Sequence, residues 1–271
     1  MIQNTPIPHI GFGTYRHLGD VAYRSVTDAL EIGYRHIDTA EMYDNEREVG
    51  KAIANSKLER NEIWLTTKVQ PDHLGPGQVM PHVKASLERL GVDKVDLLLI
   101  HWPSVGDKYV ADDYLTQLGQ VLDSGLTSHI GVSNFTKKYV NTALRVLGKD
   151  IVATNQVEAH VLMQNRPIVD YCKTKNIPIT AYCPVARGLL SESAELVAIA
   201  KKHMATPEQV GLAFLLAEGH IVIPSSTNRG RIQSNWDAQK IKLSAEEVST
   251  IRKLDQNRRL VDGAWCPKWD V

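Results

Sequence analysis

Four polar side chains of this sequence are of types that can together deliver a proton to an oxygen atom. They are Asp38, Tyr43, Lys68 and His101. When a hydride adds to a carbonyl carbon, negative charge develops on the oxygen, which must be stabilised and then protonated. A phenol can give that proton, and a neighbouring ammonium favours the ionised phenol. We therefore expect Lys68 to lower the pKa of Tyr43.

The other two side chains would prepare this pair for the reaction. Asp38 would hold Lys68 in place and keep the site close to neutral, while His101 would donate a hydrogen bond that orients a substrate carbonyl. Taken singly, the residues also have structural interpretations: an ion pair at the end of a barrel, a surface tyrosine and a core histidine bonded to a backbone carbonyl. Lys68 could instead form a Schiff base in an aldolase, although Asp38 beside it would keep the amine protonated.

The elements that must position these residues alternate between strands and helices. Short β-branched or apolar runs recur, and each is followed by a segment with helical spacing, which is typical of βαβ units and a parallel sheet. We predict strands at residues 10–14, 35–39, 63–68, 95–100, 128–132, 154–158, 179–182 and 221–224. About eight such units without a long linker favour one domain over residues 1–271, a (β/α)8 TIM barrel, rather than two doubly wound domains.

Helix start and stop signals support this alternation. The first helix, over residues 21–32, would have Asp20 as its N-cap and Gly33 after its last turn, and a third helix would end at Gly91. Capping boxes predict the starts of three further helices, through Asn45 with Glu48, Thr206 with Gln209, and Ser244 with Glu247. Because a barrel carries its active site at the C-terminal ends of its strands, Asp38, Lys68 and His101 would meet there.

Composition limits the classes of partner. The 271 residues are 43% hydrophobic and 23% charged, as expected of a soluble globular protein with a sizeable core. With 31 basic and 31 acidic residues the net charge is zero, so no basic field attracts nucleic acid or anionic lipid. Residues 1–10 lack a signal-peptide pattern and no segment is apolar enough to span a membrane, which predicts a cytoplasmic protein. Cys172, Cys183 and Cys266 indicate neither disulfides nor a metal site.

Motifs around the four polar residues resemble those of the aldo-keto reductase family. They are GFGT at 11–14, GYRHIDTA at 33–40 followed by Tyr43 and NE at 45–46, TK at 67–68, LIHWP at 99–103, GVSNF at 131–135, NQVE at 155–158, AYCP at 181–184 and IPSS at 223–226. Within the family the sequence is similar to the short bacterial 2,5-diketo-D-gluconate reductases, which also reduce methylglyoxal. The resemblance implies a monomer that reduces small aldehydes and ketones with NADPH, with Tyr43 as the proton donor.

The resemblance also implies where the nicotinamide end of NADPH binds. Ser133, Asn134 and Gln156 would bond the carboxamide, and Tyr182 would stack on the ring and fix the face from which hydride leaves. Further cofactor contacts would come from Gly13, Thr14, Asp38, Cys183, Pro184, Val185, Ser225 and Thr227. No Gly-x-Gly-x-x-Gly follows a strand, so a Rossmann domain is not the cofactor site.

The phosphate end would lie after Pro224. Ser226, Asn228 and Arg231 would contact the 2′-phosphate, and Asn235 the adenine. Ser225 replaces a lysine that is common in the family, which removes one cation. Arg229 could supply another, although the two arginines could also be an ordinary pair at a solvated helix start.

Departures from the family affect the substrate pocket most. Many relatives carry tryptophan at the position of Gln70, and the loops after Pro103 and Pro184 are short. Together with Tyr43 and His101, the substrate contacts would be Tyr15, Gln70, Trp102 and Trp265. An open, polar pocket suits a small, oxygen-rich carbonyl. An alternative is a nicotinamide-binding regulatory module of the same fold, but the intact set of four catalytic residues argues against it.

Overall fold

Eight parallel strands lie in sequence order in one sheet of the computed structural model, which describes residues 6–270. They are β1 Phe12–Gly13, β2 His36–Asp38, β3 Trp64–Val69, β4 Val95–Ile100, β5 Thr127–Ser133, β6 Val152–Glu158, β7 Ile179–Tyr182 and β8 Ile221–Val222. The sheet closes on itself because Ile10 bridges Val222 and the Gly13 amide donates to the Pro224 carbonyl over 3.0 Å. The predicted (β/α)8 barrel is confirmed. The prediction of one domain over residues 1–271 extends beyond the described residues at both ends.

Helices surround the strands. They are α1 Gly19–Ile32, α2 Glu46–Ala54, α3 Val79–Leu90, α4 Ala111–Asp123, α5 Lys137–Leu147, α6 Arg166–Thr174, α7 Ala194–Lys202, α8 Pro207–Ala217, α9 Arg229–Asp237 and α10 Ala245–Arg252. Each strand is covered by helices outside and by side chains inside, so β4 is apolar at five of its six positions and almost wholly buried, as predicted. The first and last strands are shorter than predicted, since only two residues of each are paired as strand.

Most predicted helix ends are confirmed. Gly33 and Gly91 follow α1 and α3 with φ of 128° and 66°, values that favour glycine. The capping boxes that begin with Thr206 and Ser244 are both present, because each hydroxyl accepts from the backbone N–H three residues on and each partner side chain reaches back.

Two predicted caps are wrong. Leu18 occupies the N-cap position of α1, and Asp20 lies inside the first turn, where its charge favours the positive end of the helix dipole. Asn45 does precede α2, but its buried amide donates to the carbonyls of Thr14 and His17, both over 2.9 Å. The side chain therefore ties together the loops after β1 and β2 instead of capping α2 with Glu48.

Two smaller predictions concern the cysteines and the membrane. All three cysteines are free, with Cys172 buried and the other two partly buried, and burial raises the pKa of the Cys172 thiol to about 12. None of the helices within residues 6–270 is long and apolar enough to cross a membrane. The prediction about residues 1–10 falls partly on residues 1–5, outside the described part.

Candidate active site

The four polar residues do meet at the C-terminal end of the barrel. Asp38 ends β2, His101 follows the last residue of β4, and Tyr43 ends the short 3-10 turn Glu41–Tyr43. Lys68 is the penultimate residue of β3, which runs one residue further than predicted. Asp38, Lys68 and His101 are at most 7% exposed, whereas Tyr43 is partly exposed, so the tyrosine is the member that borders open space.

Lys68 donates to three oxygen atoms. Its Nζ lies 2.5 Å from Asp38 Oδ1, 2.8 Å from the Thr39 carbonyl and 3.3 Å from the Tyr43 hydroxyl. An ammonium has three donors and no lone pair, and three acceptors are in place to receive them. Burial lowers the pKa of Lys68, while the adjacent Asp38 carboxylate opposes that shift. This geometry favours a charged lysine held in one position, as its predicted role requires.

The expected lowering of the Tyr43 pKa is wrong for this structure. Burial raises the pKa of the phenol well above its ordinary value, and the negative charge of Asp38 adds to that rise. The sequence argument weighed the charge of Lys68 without the burial of the phenol, and Asp38, 2.5 Å from the ammonium, offsets that charge. Tyr43 is therefore a neutral phenol at physiological pH, which is the form that can donate a proton.

His101 completes the surroundings of the phenol. Its Nε2 lies 3.4 Å from the Tyr43 hydroxyl, and burial together with the charge of Lys68 lowers the pKa of the imidazole well below 6.5, so the ring is neutral. No group among residues 6–270 bonds its buried Nδ1. A bare lone pair there costs less than an unused N–H, which favours the tautomer with the proton on Nε2. With Lys68 and His101 both donating to its oxygen, Tyr43 keeps its own proton free for a ligand.

The predicted nicotinamide contacts lie around this group. Ser133 and Gln156 are paired on β5 and β6, and the Gln156 amide donates to Asp38 Oδ2 over 2.7 Å. Asn134 follows β5 with φ of 61°, donates to the His101 carbonyl, and accepts from the Tyr182 hydroxyl over 2.9 Å. The side chains are thus linked by hydrogen bonds to Asp38 and to the backbone of His101, and the Gln156 side-chain oxygen has no partner among residues 6–270.

The remaining contacts predicted near the nicotinamide lie at the ends of β1 and β7. The Thr14 hydroxyl donates to the Asp38 carbonyl over 3.1 Å. A Cβ added at Gly13 would lie 2.9 Å from the Ile223 carbonyl oxygen, so only glycine fits at this barrel seam. Three predicted contacts follow β7 directly, namely Cys183, Pro184 and Val185.

The two arginines after β8 have different partners. Arg229 forms ion pairs with Asp28 and Glu31 of α1, so the suggestion that it supplies a second phosphate-binding charge is not supported. Arg231 is exposed, donates to the Ser226 hydroxyl over 3.2 Å, and has no acidic partner in the part of the chain described. Arg231 is therefore the cation available to an anionic ligand.

Other residues of this segment have separate positions. The Asn228 side chain caps α9 by accepting from the Arg231 backbone N–H over 3.0 Å. Ser225 lies 3.0 Å from His17 Nε2, Thr227 is exposed, and Asn235 is buried on α9. A helix N-terminus, a hydroxyl and a guanidinium thus lie together, a combination that binds phosphate well.

The predicted substrate contacts are dispersed. Tyr15 is 52% exposed, and its ring centre lies 5.1 Å from that of Tyr43, so the two rings are in contact. The Gln70 backbone N–H donates to Glu41 Oε2 over 3.3 Å, and its side-chain amide nitrogen lies 3.0 Å from His73 Nδ1. Trp102 is buried with its ring 6.1 Å from Trp269. Trp265 is 53% exposed and lines a cavity of about 590 Å³ between residues 103–107 and 265–270, next to the catalytic group rather than within it.

Glu158 is a positioning residue that the sequence analysis did not identify. It ends β6, is fully buried, and accepts from the backbone N–H groups of Leu260 and Val261 over 2.6 and 2.9 Å. The neighbouring Arg259 lies 3.9 Å above the Trp269 ring, which in turn contacts Trp102. Glu158 therefore fixes the C-terminal segment across the barrel mouth. A charged residue inside a buried strand was the only signal, and it does not reveal partners 102 positions away.

We expect Glu158→Gln to lower the free energy of unfolding by about 1.5 to 3 kcal/mol, since one of the two backbone N–H groups would then face the NH2 donor of the amide instead of a carboxylate oxygen. Urea denaturation measures this change. The control Glu195→Gln, at an exposed position on α7, should change stability by less than about 0.5 kcal/mol. Equal stabilities of the two variants would contradict the anchoring role.

Comparisons with known proteins give one consistent result. A family model described as the Aldo/keto reductase family matches residues 9–256. Methylglyoxal reductase DkgB of Salmonella typhi is 45% identical over 265 residues, which cover 97% of this chain and 99% of that protein; the Escherichia coli O157:H7 protein of that name is 44% identical over the same length. The crystal structure of an aldo-keto reductase from a Medee basin deep-sea metagenome library matches with a TM-score of 0.91 at 35% identity, covering 99% of this chain and 98% of that one.

Proposed function

The chain belongs to the aldo/keto reductase family, and from that premise we propose that it reduces small aldehydes and ketones to alcohols, with NADPH as hydride donor and Tyr43 as proton donor. The observation that carries this proposal is the Tyr43 hydroxyl, which accepts a hydrogen bond from Lys68, lies 3.4 Å from His101 Nε2 and borders open space. The phenol thus has its own proton free at the place where a substrate oxygen would lie.

The proposed mechanism assigns one task to each residue. A nicotinamide held by Ser133, Asn134, Gln156 and Tyr182 would supply the hydride for the carbonyl carbon. As charge develops on the carbonyl oxygen, Tyr43 gives it a proton, and the phenolate that forms is stabilised by the Lys68 ammonium 3.3 Å away. His101 is neutral and carries its proton on Nε2. This N–H can donate a hydrogen bond to the substrate oxygen instead of to Tyr43, which would orient the carbonyl. Asp38 holds Lys68 and keeps the net charge of the pair at zero.

The unpaired Arg231 supports NADPH rather than NADH as the cofactor. The 2′-phosphate that distinguishes the two requires a cation and hydrogen-bond donors, and Arg231 lies beside the Ser226 hydroxyl at the start of α9. Asn235 on the same helix would contact the adenine.

We expect Arg231→Ala to weaken NADPH binding by about 1.5 to 3 kcal/mol and to leave NADH binding nearly unchanged, because NADH lacks the 2′-phosphate that Arg231 would bind. Fluorescence quenching titrations with both cofactors at fixed salt measure the difference. Arg229→Ala is the matched control, since it removes an arginine of the same helix turn that pairs with Asp28 and Glu31. Equal losses for both cofactors in Arg231→Ala would show that this arginine does not bind the phosphate.

The substrate proposal is a small, oxygen-rich carbonyl such as methylglyoxal or 2,5-diketo-D-gluconate. It is supported by the methylglyoxal reductases among the relatives and by the polar Gln70, whose backbone N–H bonds Glu41 at the start of the turn that carries Tyr43. Absorbance at 340 nm, followed with NADPH and NADH against these two compounds, glyceraldehyde and nitrobenzaldehyde, would rank the substrates. Consumption of NADPH over many turnovers would exclude a purely regulatory cofactor-binding module. Absence of covalent labelling by borohydride and a ketone would exclude an aldolase that uses Lys68.

A further inference from the structure

Two histidines and a glutamate lie together on the same side of the barrel as Tyr43, and no step of the reaction uses them. Glu41 begins the 3-10 turn that Tyr43 ends, His73 ends the 3-10 turn Pro71–His73, and His82 lies on α3. One nitrogen or oxygen atom from each of the three lies within 4.8 Å of the others. We refer to Glu41, His73 and His82 as the Glu41 cluster.

In both imidazoles of the Glu41 cluster it is Nδ1 that faces the carboxylate, and both Nδ1 atoms face the same oxygen. His73 Nδ1 lies 3.1 Å and His82 Nδ1 2.6 Å from Glu41 Oε1, and the two rings are stacked with centres 3.4 Å apart. The Gln70 amide nitrogen also lies 3.0 Å from His73 Nδ1. That ring nitrogen cannot donate to Glu41 and accept from Gln70 at once, so in the protein without an ion the acceptor for Gln70 is His73 Nε2, 3.2 Å from the amide nitrogen.

The surrounding charge favours a cation. The Glu41 side chain is only 8% exposed, while those of His73 and His82 are 29% and 26% exposed. The nearest guanidinium, that of Arg89, lies 3.9 Å from Glu41 but 2.7 Å from Glu46, which it neutralises. Two carboxylates thus share one arginine, and the remaining negative charge on Glu41 faces the two histidines.

Two imidazoles and one carboxylate are a ligand set for a transition metal rather than for Mg²⁺ or Ca²⁺, which prefer oxygen ligands. A Zn²⁺ ion bound at about 2.0–2.1 Å from each ligand atom places tetrahedral ligands about 3.3 Å apart. The two nitrogen-to-oxygen distances, 3.1 and 2.6 Å, are already close to that spacing. Three protein ligands leave the fourth position for water.

We propose that Glu41, His73 and His82 bind one divalent transition-metal ion of the Zn²⁺ type, beside the substrate pocket and outside the catalytic group. This site does not depend on the proposed reductase activity. When the ion takes His73 Nδ1, the proton of that ring lies on Nε2, so neither ring nitrogen can accept from the Gln70 side-chain amide nitrogen, which must turn elsewhere. The metal thus acts on a residue of the predicted substrate pocket.

Isothermal titration of ZnCl₂ into protein without a polyhistidine tag tests the proposal. We expect one saturable site in the wild type, an affinity lowered at least about 10-fold in both His73→Asn and His82→Asn, and no binding of MgCl₂. The control His203→Asn removes a histidine that pairs with Glu247 over 3.0 Å at similar exposure, and Zn²⁺ affinity should be unchanged in it. Wild-type binding weaker than about 1 mM, or binding that survives both substitutions, would overturn the proposal.

A second measurement uses the unmodified protein. Bound Co²⁺ in a four-coordinate site of nitrogen and oxygen ligands absorbs visible light strongly compared with the hydrated ion. We expect this absorption to saturate at one equivalent and to disappear when Zn²⁺ is added. A titration that gives only the spectrum of hydrated Co²⁺ would contradict the proposed site, whatever the variants do.

Discussion

Replacing Tyr43 by phenylalanine is expected to lower turnover of carbonyl reduction by at least about 100-fold, the scale of a lost general acid. The change removes the hydroxyl that lies 3.3 Å from Lys68 and 3.4 Å from His101 and keeps the ring. The ring contacts with Tyr15 and with the Lys68 ammonium, 4.8 Å from its centre, can persist, so the fold of the site should be retained. Steady-state rates at saturating NADPH measure the effect.

Two controls separate proton donation from damage to the site. NADPH affinity of Tyr43→Phe, measured by fluorescence quenching, should stay within a few-fold of wild type, since the phenol is not among the predicted cofactor contacts. Tyr171→Phe removes a hydroxyl that bonds Asn141 on the outside of the barrel and should leave turnover unchanged. If Tyr43→Phe turned over at a rate comparable with wild type, another group would have to be the proton donor.

The positions of the four candidate catalytic residues could be predicted from the sequence because each is placed locally. Asp38, Lys68 and His101 lie at or next to the ends of predicted strands, and a parallel barrel brings all strand ends to one face. Tyr43 lies five residues after Asp38, which leaves it little freedom to be elsewhere. The positions of these four residues followed from the strand pattern, without knowledge of any contact between residues far apart in sequence.

The chemical state of the group did not follow in the same way. The pKa of Tyr43 depends on burial and on every nearby charge, and the sequence argument weighed the Lys68 charge without the burial that dominates. Similarly, the sequence predicted that Asn45 would cap α2, whereas the folded chain offers it the carbonyls of Thr14 and His17. For Asn45 an interaction between segments far apart in the chain replaced a local one, whereas for Tyr43 the packing of the barrel around the phenol outweighed the charge of Lys68.

Contacts between residues far apart in sequence also explain two further differences between the sequence analysis and the structure. Arg229 and Arg231 look equivalent in the sequence, yet the first is paired with acids of α1 about 200 positions earlier. The Glu41 cluster joins residues 32 and 41 positions apart, a spacing that matches no metal motif, and the sequence had suggested no metal site. Such groups become visible only once the helices are packed.

The second large effect is expected for Lys68. Lys68→Met should abolish reduction to below about one hundredth of the wild-type rate, because the phenolate that forms on Tyr43 loses the only ammonium within hydrogen-bond distance among the described residues. Methionine has a similar length and is apolar, so it can fill the fully buried space. It leaves the Asp38 carboxylate bonded to Gln156 but without its cation, which could cost about 3 to 5 kcal/mol of stability.

Variants of Asp38 distinguish two effects of Lys68→Met, namely the loss of the ammonium next to Tyr43 and the loss of stability. Asp38→Asn removes the anchor of Lys68 and the negative charge that balances it but keeps the ammonium side chain itself, so we expect partial activity, about 10-fold to 100-fold below wild type. The double variant Lys68→Met with Asp38→Asn removes both charges and should regain thermal stability relative to Lys68→Met while remaining inactive. Rates at saturating NADPH and melting temperatures of the three variants decide the matter. Because the double variant contains no unpaired buried carboxylate, a substantial rate in it would mean that the ammonium is not needed to stabilise the phenolate, and the proposed proton transfer from Tyr43 would then lack its electrostatic support.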